Sequence, residues 1–311
     1  MILSSLESQN ETYDMIILGA GPAGLTAAIY ACRANLKTLV LESMLSGGEI
    51  TATDQLDNYP GFPEGISGAE FGERLEKQAK RFGAELNFAA VEKVELEAEI
   101  KRVFTAQGEF HGRTVLIATG TAPRTLGVPG EEKLRGRGIS FCATCDGPFF
   151  REKRVAVIGG GDSAVEEALY LTRFVDKIDL IHRRENLRAI PSLQEKMFSN
   201  PKIEFHKNCV VKEFGGEQKV EKIIVENLAD SSIKELPADG AFLYVGRIPN
   251  VEFIEGIEKD AQGFIITNEE METALPGVFA AGDIRRKYLR QVLTAAADGA
   301  IAAAMSIKYL S

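Results

Sequence analysis

The sequence has no tryptophan, only three histidines and only four cysteines in 311 residues, and each shortage excludes something. None of the histidines has the spacing of a zinc finger, so a structural metal centre has little to build on, and none is expected. Four cysteines are too few to staple a secreted scaffold of this length, and a reducing cytosol suits them better. No apolar run approaches the roughly twenty residues that cross a bilayer. Met1 to Thr12 is polar, without the apolar stretch of a signal peptide. Basic residues are outnumbered, 36 Lys and Arg against 45 Asp and Glu, for a net charge of −9. That balance argues against nucleic acid or an anionic membrane as the main partner. The expectation is a soluble cytoplasmic protein, long enough for a large core and more readily two domains than one.

What is present centres on Cys142-Ala143-Thr144-Cys145-Asp146. Two cysteines separated by two residues can close a small-ring disulfide and reopen it, which suits a redox couple that must cycle. Exchange needs a thiolate, and the adjacent Asp146 can deliver or accept the proton. The competing reading is half of a zinc site. Cys32 and Cys209 stand alone and supply no second ligand pair.

Two nucleotide-binding signatures flank this pair. The first is the apolar run Asp14-Met15-Ile16-Ile17-Leu18, then Gly19-Ala20-Gly21-Pro22-Ala23-Gly24, then an alanine-rich helix from Leu25 to Arg33. Strand, tight turn and helix are the context that G-x-G-x-x-G requires, with backbone N–H groups left for a pyrophosphate. A second strand from Lys37 ends at Glu42, placed to accept a hydrogen bond from an adenosine ribose. Downstream, Arg154–Ile158 leads into Gly159-Gly160-Gly161-Asp162-Ser163-Ala164, which is G-x-G-x-x-A and repeats the unit. Its next strand, Lys177–Ile181, ends not in an acid but in His182-Arg183-Arg184, with Arg188 following. Arginines there favour a 2′-phosphate, hence NADP over NAD, against the plainer alternative of a solvated patch.

Ser46 to Pro63 reads as a loop rich in glycine and proline. Its Gly47-Gly48 and Asn58-Tyr59-Pro60-Gly61 are placed to line a flavin ring, unless the loop is a surface excursion. Glu70 to Phe82 has the periodicity of an amphipathic helix, and 86–105 with 110–118 that of a meander of short strands. Thr119 and Gly120 close an apolar strand on small residues, where backbone can pass close to a cofactor. Gly and Pro place domain crossings near Ala122 and Gly246. Ala280-Ala281-Gly282-Asp283 ends a short strand in an acid that suits ribityl hydroxyls or caps a turn. A final helix begins near Arg290-Gln291, its N-terminus carrying partial positive charge.

In this order GAGPAG, NYPGF, ATG, CATCDG, GGGDSA, HRRENLR and AAGD resemble the low-molecular-weight thioredoxin reductases. These are flavoproteins of the pyridine nucleotide-disulphide oxidoreductase class, and the resemblance runs from Asp14 to Tyr309. It implies an α/β architecture of two Rossmann-like three-layer domains. Residues 1–122 and 247–311 would form a discontinuous FAD-binding domain. Residues 123–246 would form the inserted NADPH-binding domain that carries the cysteines. Carried over by position, Cys145 faces the flavin, Cys142 attacks the partner disulfide and Asp146 is the acid–base residue. Gly19, Gly21, Gly24, Glu42, Asn58, Asp283, Arg290 and Gln291 match FAD positions, and Gly159, Gly161, Ser163, Arg183, Arg184 and Arg188 match the NADPH site. Arg137 and Phe149 match positions that grip thioredoxin, and the family implies a homodimer. Glu49, where many members have Gln, and Pro148, within the aromatic run after Asp146-Gly147, depart from the common pattern.

Cys142 must reach a protein disulfide while Cys145 meets a buried flavin, and the flavin must also meet nicotinamide. One rigid arrangement cannot satisfy both, so the sequence predicts rotation of the inserted domain about its two crossings. The competing functions are a related reductase with another acceptor (an alkyl hydroperoxide system or a small-molecule dithiol oxidase), a different donor such as ferredoxin, and a nucleotide sensor with an inert cysteine pair.

Overall fold

Strands buried on both faces read as continuous apolar runs, and β1 (Thr12–Leu18) is the first of them. It turns into α1 (Pro22–Arg33), and β2 (Thr38–Glu42) pairs with it in parallel. The computed structural model describes residues 11–53, 55–56 and 58–311; the polar lead up to Asn10 lies outside them. After α2 (Gly68–Arg81) comes β3 (Glu85–Phe88), which extends the parallel sheet beyond β2. The meander expected over 86–105 is thus shorter than the sequence suggests. A helix precedes β3, and a helical crossover returns a strand parallel, not antiparallel. The antiparallel meander is β4 (Val91–Glu95), β5 (Lys101–Thr105) and β6 (Gly108–Ile117), and β6 lies in parallel beside β1.

The chain then passes through β7 (Thr121–Pro123) and α3 (Glu131–Leu134) to β8 (Ile139–Ser140) and α4 (Ala143–Asp146). β9 (Arg154–Gly159), α5 (Asp162–Leu171), β10 (Lys177–Ile181), α6 (Pro191–Phe198) and β11 (Ile203–His206) follow as a second wound unit. β12 (Cys209–Gly215), β13 (Lys222–Asn227) and β14 (Ile233–Pro237) make an antiparallel sheet, and β15 (Gly240–Tyr244) returns to the parallel one. β16 (Arg247–Pro249), β17 (Val278–Ala280) and α7 (Val292–Leu310) complete the chain. β7 and β16 pair as a two-stranded sheet. The described residues form two compact units, one of residues up to Ala122 with Ile248–Ser311, the other Pro123–Arg247.

In the first unit the strand order is β3-β2-β1-β6-β5-β4, with β17 also on β6. Met15 and Ile17 pack in one cluster with the alanines of α1 and α7, while Ile16 and Leu18 pack in another with Ile254, Ile257 and Ile265. The two alanine-rich helices approach closely: a Cβ on Gly299 would stand 2.0 Å from the Ala23 carbonyl oxygen. In the second unit the order is β11-β10-β9-β15-β8. Val155, Val157, Ile178, Leu180 and Phe242 pack with α5, while Ala156, Ile158, Ile181 and Leu243 pack with the β12–β14 sheet. Each such buried aliphatic side chain contributes about 1.5–3 kcal/mol. Both units therefore have three layers.

A fully buried charge lies inside the second unit. Asp179 is fully buried on β10 and accepts two hydrogen bonds from Arg154, at 2.6 and 2.8 Å. A third contact, 2.7 Å, joins it to His206 Nε2. Asp179, Glu204 and His206 are close enough to share a metal ion, but Arg154 and Lys177 already hold the two carboxylates. Burial alone would raise the Asp179 carboxyl, yet the His206 and Arg154 hydrogen bonds hold it below the ordinary range. A lowered carboxyl stabilises the fold above the unfolded pKa of about 4 and loses that contribution as pH falls through its folded value. Asp179→Ala should therefore lower stability by about 3 kcal/mol at pH 7. The gap from the native chain in urea unfolding should narrow toward pH 3; a loss below about 1 kcal/mol at pH 7 would contradict the pairing.

Candidate functional site

The first glycine loop leaves a helix N-terminus open. Gly21 caps α1 in extended backbone with no side-chain hydrogen bond, and no acid occupies the first turn. A Cβ at Gly24 would stand 1.9 Å from the Gly19 carbonyl oxygen, so only glycine lets the helix meet the turn. A Cβ at Gly21 would meet nothing within 4 Å, which leaves room in front of the uncapped N–H groups. Pro22 fills the first helical position, where its missing N–H costs nothing, and Ala23 is buried behind it. Glu42, at the end of β2, accepts from the Ala20 N–H at 2.8 Å and, through its other oxygen, from the Ser43 and Met44 N–H groups. The expected ribose acceptor is thus also a brace for the loop.

Other elements of this unit carry the remaining predicted residues. The Ser46–Pro63 stretch holds a short 3-10 turn at Gly48–Ala52, and its Tyr59 and Phe62 pack on Phe71 of α2. Gly48 comes close to the first loop, a Cβ on it standing 3.3 Å from Gly21 Cα. Asn58 donates to Gln291 Oε1 at 2.9 Å. Thr119 donates to the Asn250 carbonyl and accepts at its own carbonyl from the Asn250 amide, and Gly120 faces open space. Arg290 lies over the Phe264 ring at 4.2 Å. Gln291 and Thr294 form a capping box, so α7 starts at Val292 with part of its N-terminus already satisfied by its own side chains.

Asp298, one turn further, is a residue the sequence reading missed. It is buried, accepts from the Gly282 N–H at 3.0 Å and from Lys287 Nζ at 2.7 Å, and lies 3.4 Å from Arg285 Nη1. It ties down both the Gly282-Asp283 turn and the segment leading to Arg290. Spacing gives no sign of this, because an Asp in an alanine-rich helix looks like a solvated position.

The second glycine loop repeats the first. Gly161 caps α5 without a side-chain hydrogen bond, and a Cβ there would find only Arg188 Nη2, at 3.8 Å. A Cβ on Gly159 would stand 2.7 Å from Ala164 Cβ, the close helix–strand approach that the motif needs. Asp162 accepts the Ile190 N–H at 2.8 Å, and Ser163 is exposed at the helix start. Arg183, Arg184 and Arg188 are exposed, and the Arg188 N–H donates to the Gly160 carbonyl. His182 is buried under the loop, where a Cβ on Gly160 would stand 2.3 Å from its ring. Burial first, then the Arg188, Arg184 and Arg183 charges, lowers its pKa, so it supports the loop as a neutral ring. Both loops fit a pyrophosphate: uncapped N–H groups face space that a side chain would close.

Cys142 and Cys145 form a disulfide with Cα atoms 5.3 Å apart. A short helix begins inside the motif: Cys142 caps α4, and the Cys145 N–H donates to Cys142 Sγ at 3.2 Å. Ser140, unremarked in the sequence, donates to Asp146 Oδ2 at 2.5 Å and accepts the Cys142 N–H at 3.1 Å. The Ala143 N–H donates to the Tyr244 phenol oxygen at 2.7 Å. The exchanging pair is thus held by one carboxylate–hydroxyl bond and one buried phenol.

The pyridine nucleotide-disulphide oxidoreductase family model matches residues 13–299. A thioredoxin reductase of Treponema pallidum is 45% identical over 298 residues, covering 96% of this chain and 97% of its own. The crystal structure of thioredoxin reductase from Streptococcus pyogenes superposes with a TM-score of 0.91 at 44% identity, covering 97% and 99% of the two chains. The Lactococcus lactis thioredoxin reductase in its FR conformation gives 0.67 at 42% identity over 96% and 99%.

Asp298→Asn keeps the shape but removes the charge that holds Lys287 and Arg285. Affinity for FAD, followed by quenching of flavin fluorescence, should fall about tenfold as charge-assisted hydrogen bonds weaken. Unchanged affinity would separate Asp298 from the site.

Proposed function

The chain belongs to the pyridine nucleotide-disulphide oxidoreductase family, and we propose that it is a thioredoxin-disulfide reductase drawing electrons from NADPH. The observation that carries this reading is the Cys142–Cys145 disulfide at the start of α4, in the same unit as the second glycine loop. FAD, when bound, relays two electrons from the nicotinamide to that disulfide. The first unit is the FAD-binding domain, with its adenosine pyrophosphate at the α1 N-terminus and Glu42 at the ribose. Asn58, Thr119, Gly120, Asp283, Arg290 and Gln291 line the remainder. The second unit is the NADPH-binding domain, with Gly159, Gly161 and Ser163 at the pyrophosphate and Arg183, Arg184 and Arg188 around the 2′-phosphate.

In the dithiol state Cys142 attacks the disulfide of oxidised thioredoxin and forms a mixed disulfide. Cys145 then attacks the Cys142 sulfur, which closes the ring and releases the partner as a dithiol. Asp146, oriented by Ser140, takes up and returns the proton that makes a thiolate. Exposed Arg137 and Phe149 support docking of thioredoxin on this unit. Rotation of the NADPH domain on the β7–β16 ribbon reconciles the needs of the two cysteines. The unequal TM-scores of two relatives of near-equal identity support more than one arrangement within the family. Exposed Tyr30, Leu293 and Ile301 on α1 and α7 support a homodimer. Among the described residues no helix is long and apolar enough to cross a membrane.

NADPH oxidation by the flavin-loaded protein should depend on oxidised thioredoxin. Cys142→Ser and Cys145→Ser should each lower that turnover by at least about a thousandfold. Thioredoxin reduction by both serine variants would overturn the proposal. Replacing Arg183 and Arg184 with Ala should raise the KM for NADPH about tenfold to a hundredfold through lost charge-assisted hydrogen bonds. The KM for NADH should stay within about twofold, since no 2′-phosphate is involved. An equal rise for both donors would place the arginines elsewhere.

A further inference from the structure

α4 does not rest on apolar side chains alone. It packs against α5 and takes its support at Ala143 from the Tyr244 phenol at the end of β15. Beside the buried stripe of α5, between Ala164 and Leu171, stands the half-buried Glu167. Its Oε2 is buried and makes no hydrogen bond. An acid there is unexpected: every position of the stripe is apolar, and a buried carboxylate oxygen without a donor is costly.

The elements packed against α5 bring few charged groups to it. β9 and β10 turn Val155, Val157, Ile178 and Leu180 toward α5, and α6 turns Leu193 and Met197 toward it while leaving Glu195 and Lys196 exposed. β15 contributes Phe242 and Tyr244, and α4 contributes the cysteine pair and Asp146. On its own helix the neighbour is Glu166. None of these is a cation. Burial, then the Glu166 charge, pushes Glu167 up to about 7. Burial also raises the Tyr244 phenol well above its ordinary value, with the Glu167 and Asp146 charges adding to it and the Ala143 N–H opposing.

We propose that Glu167 is a positioning residue of the redox pair: acting through Tyr244, its carboxyl, with Oε2 buried, links protonation behind α4 to the opening of the Cys142–Cys145 bond. This rests on the reading of that disulfide as the working redox centre. Opening it takes two electrons and two protons; the S–S bond breaks, and each sulfur becomes a thiol or, with one proton fewer, a thiolate. A neutral Glu167 tolerates the thiolate that develops above it, and an ionised one opposes it. Reduction therefore raises the proton affinity of Glu167, and ionisation of Glu167 above neutral pH favours the disulfide. The phenol transmits this because it holds the Ala143 N–H inside the motif and feels the Glu167 charge.

The test is the equilibrium of the disulfide with dithiothreitol redox buffers from pH 6 to 9, in the flavin-loaded protein under anaerobic conditions. New thiols are counted by alkylation and mass measurement. Relative to the native chain, Glu167→Gln should match at pH 6 and be about five- to tenfold more reduced at pH 9, the scale of one pKa unit or slightly less. Glu167→Asp should restore the native drift with pH. A Gln-to-native ratio constant over the whole range would overturn the proposal, because a structural role alone shifts every pH equally. If the Gln variant does not retain flavin, Tyr244→Phe decides: the drift should vanish, and a native pH profile in that variant overturns the link. The measurement needs neither NADPH nor thioredoxin. A disulfide that exchanges normally in a chain unable to oxidise NADPH would count against the enzymatic reading and not against this one.

Discussion

A helix that begins at glycine leaves its first N–H groups without a side-chain acceptor, and both nucleotide loops of this chain are built on that deficit. Gly21 and Gly161 occupy the capping positions of α1 and α5 in extended backbone, with no side-chain cap. Each helix is held against a buried parallel strand, so neither end can fray to find water. The unmet donors and the helix dipole make each loop an anion site before any ligand is considered. Much else follows from keeping those loops in place. Glu42 braces Ala20, Arg188 holds Gly160 through its backbone, and His182 packs beneath the second loop as a neutral ring. Had Ser or Asp stood at the capping positions 21 and 161, the caps would have been filled from within and the space in front of them lost.

The redox pair obeys a different constraint. A four-residue helix has too few hydrogen bonds to hold itself, so α4 must be held from outside. Ser140 does this at one end, bonded both to the Cys142 N–H and to Asp146. Tyr244 adds a second anchor, through the N–H between the cysteines. Both anchors are contacts of a side chain with the motif, so they survive while the S–S bond opens and closes. A pair held only by its own disulfide would lose its geometry in every catalytic cycle.

Much of this was legible in the sequence, and the pattern of what was not has a physical cause. Strand, glycine turn and helix follow one another locally, so β1–α1 and β9–α5 announce themselves in a short window. The helix over 70–82 is legible for the same reason, its apolar face recurring at helical spacing. β3 is misplaced because parallel and antiparallel strands have the same periodicity, and only the preceding helix distinguishes them. β14 is missed because Ile233, Lys234 and Glu235 are all exposed and leave no alternation to read. Ser140, Tyr244 and Asp298 are missed because their partners lie 6, 101 and 16 residues away and nothing local marks them. Glycine spacing reports backbone, and a side chain that braces a site from another element leaves no such trace. The aromatic packing of Tyr59 and Phe62 on Phe71, which orders a stretch read only as loop, belongs to the same class.

The buried acids sharpen that contrast. Asp179 lies inside the second unit with Arg154 and His206 on its oxygens, and Asp298 inside the first with Lys287 and a backbone N–H. Each is charged and compensated, the arrangement that lets a carboxylate stay in an apolar interior. Glu167 stands on a helix packed in an apolar cluster, but with an oxygen that no donor meets and with Glu166 as the charge that acts on it. Stability alone does not call for such a group: Leu or Met would take the same place on α5 without the cost of desolvation. The exception coincides with the helix on which the disulfide-bearing α4 rests, and with the phenol that holds it. Asp179 and Asp298 have donors on their oxygens, whereas the acid with an unmet oxygen stands on the helix that packs against the cysteine-bearing α4. An uncompensated carboxyl near neutral pH has little to offer a scaffold, whereas a bond that takes up protons as it opens can use its change of charge.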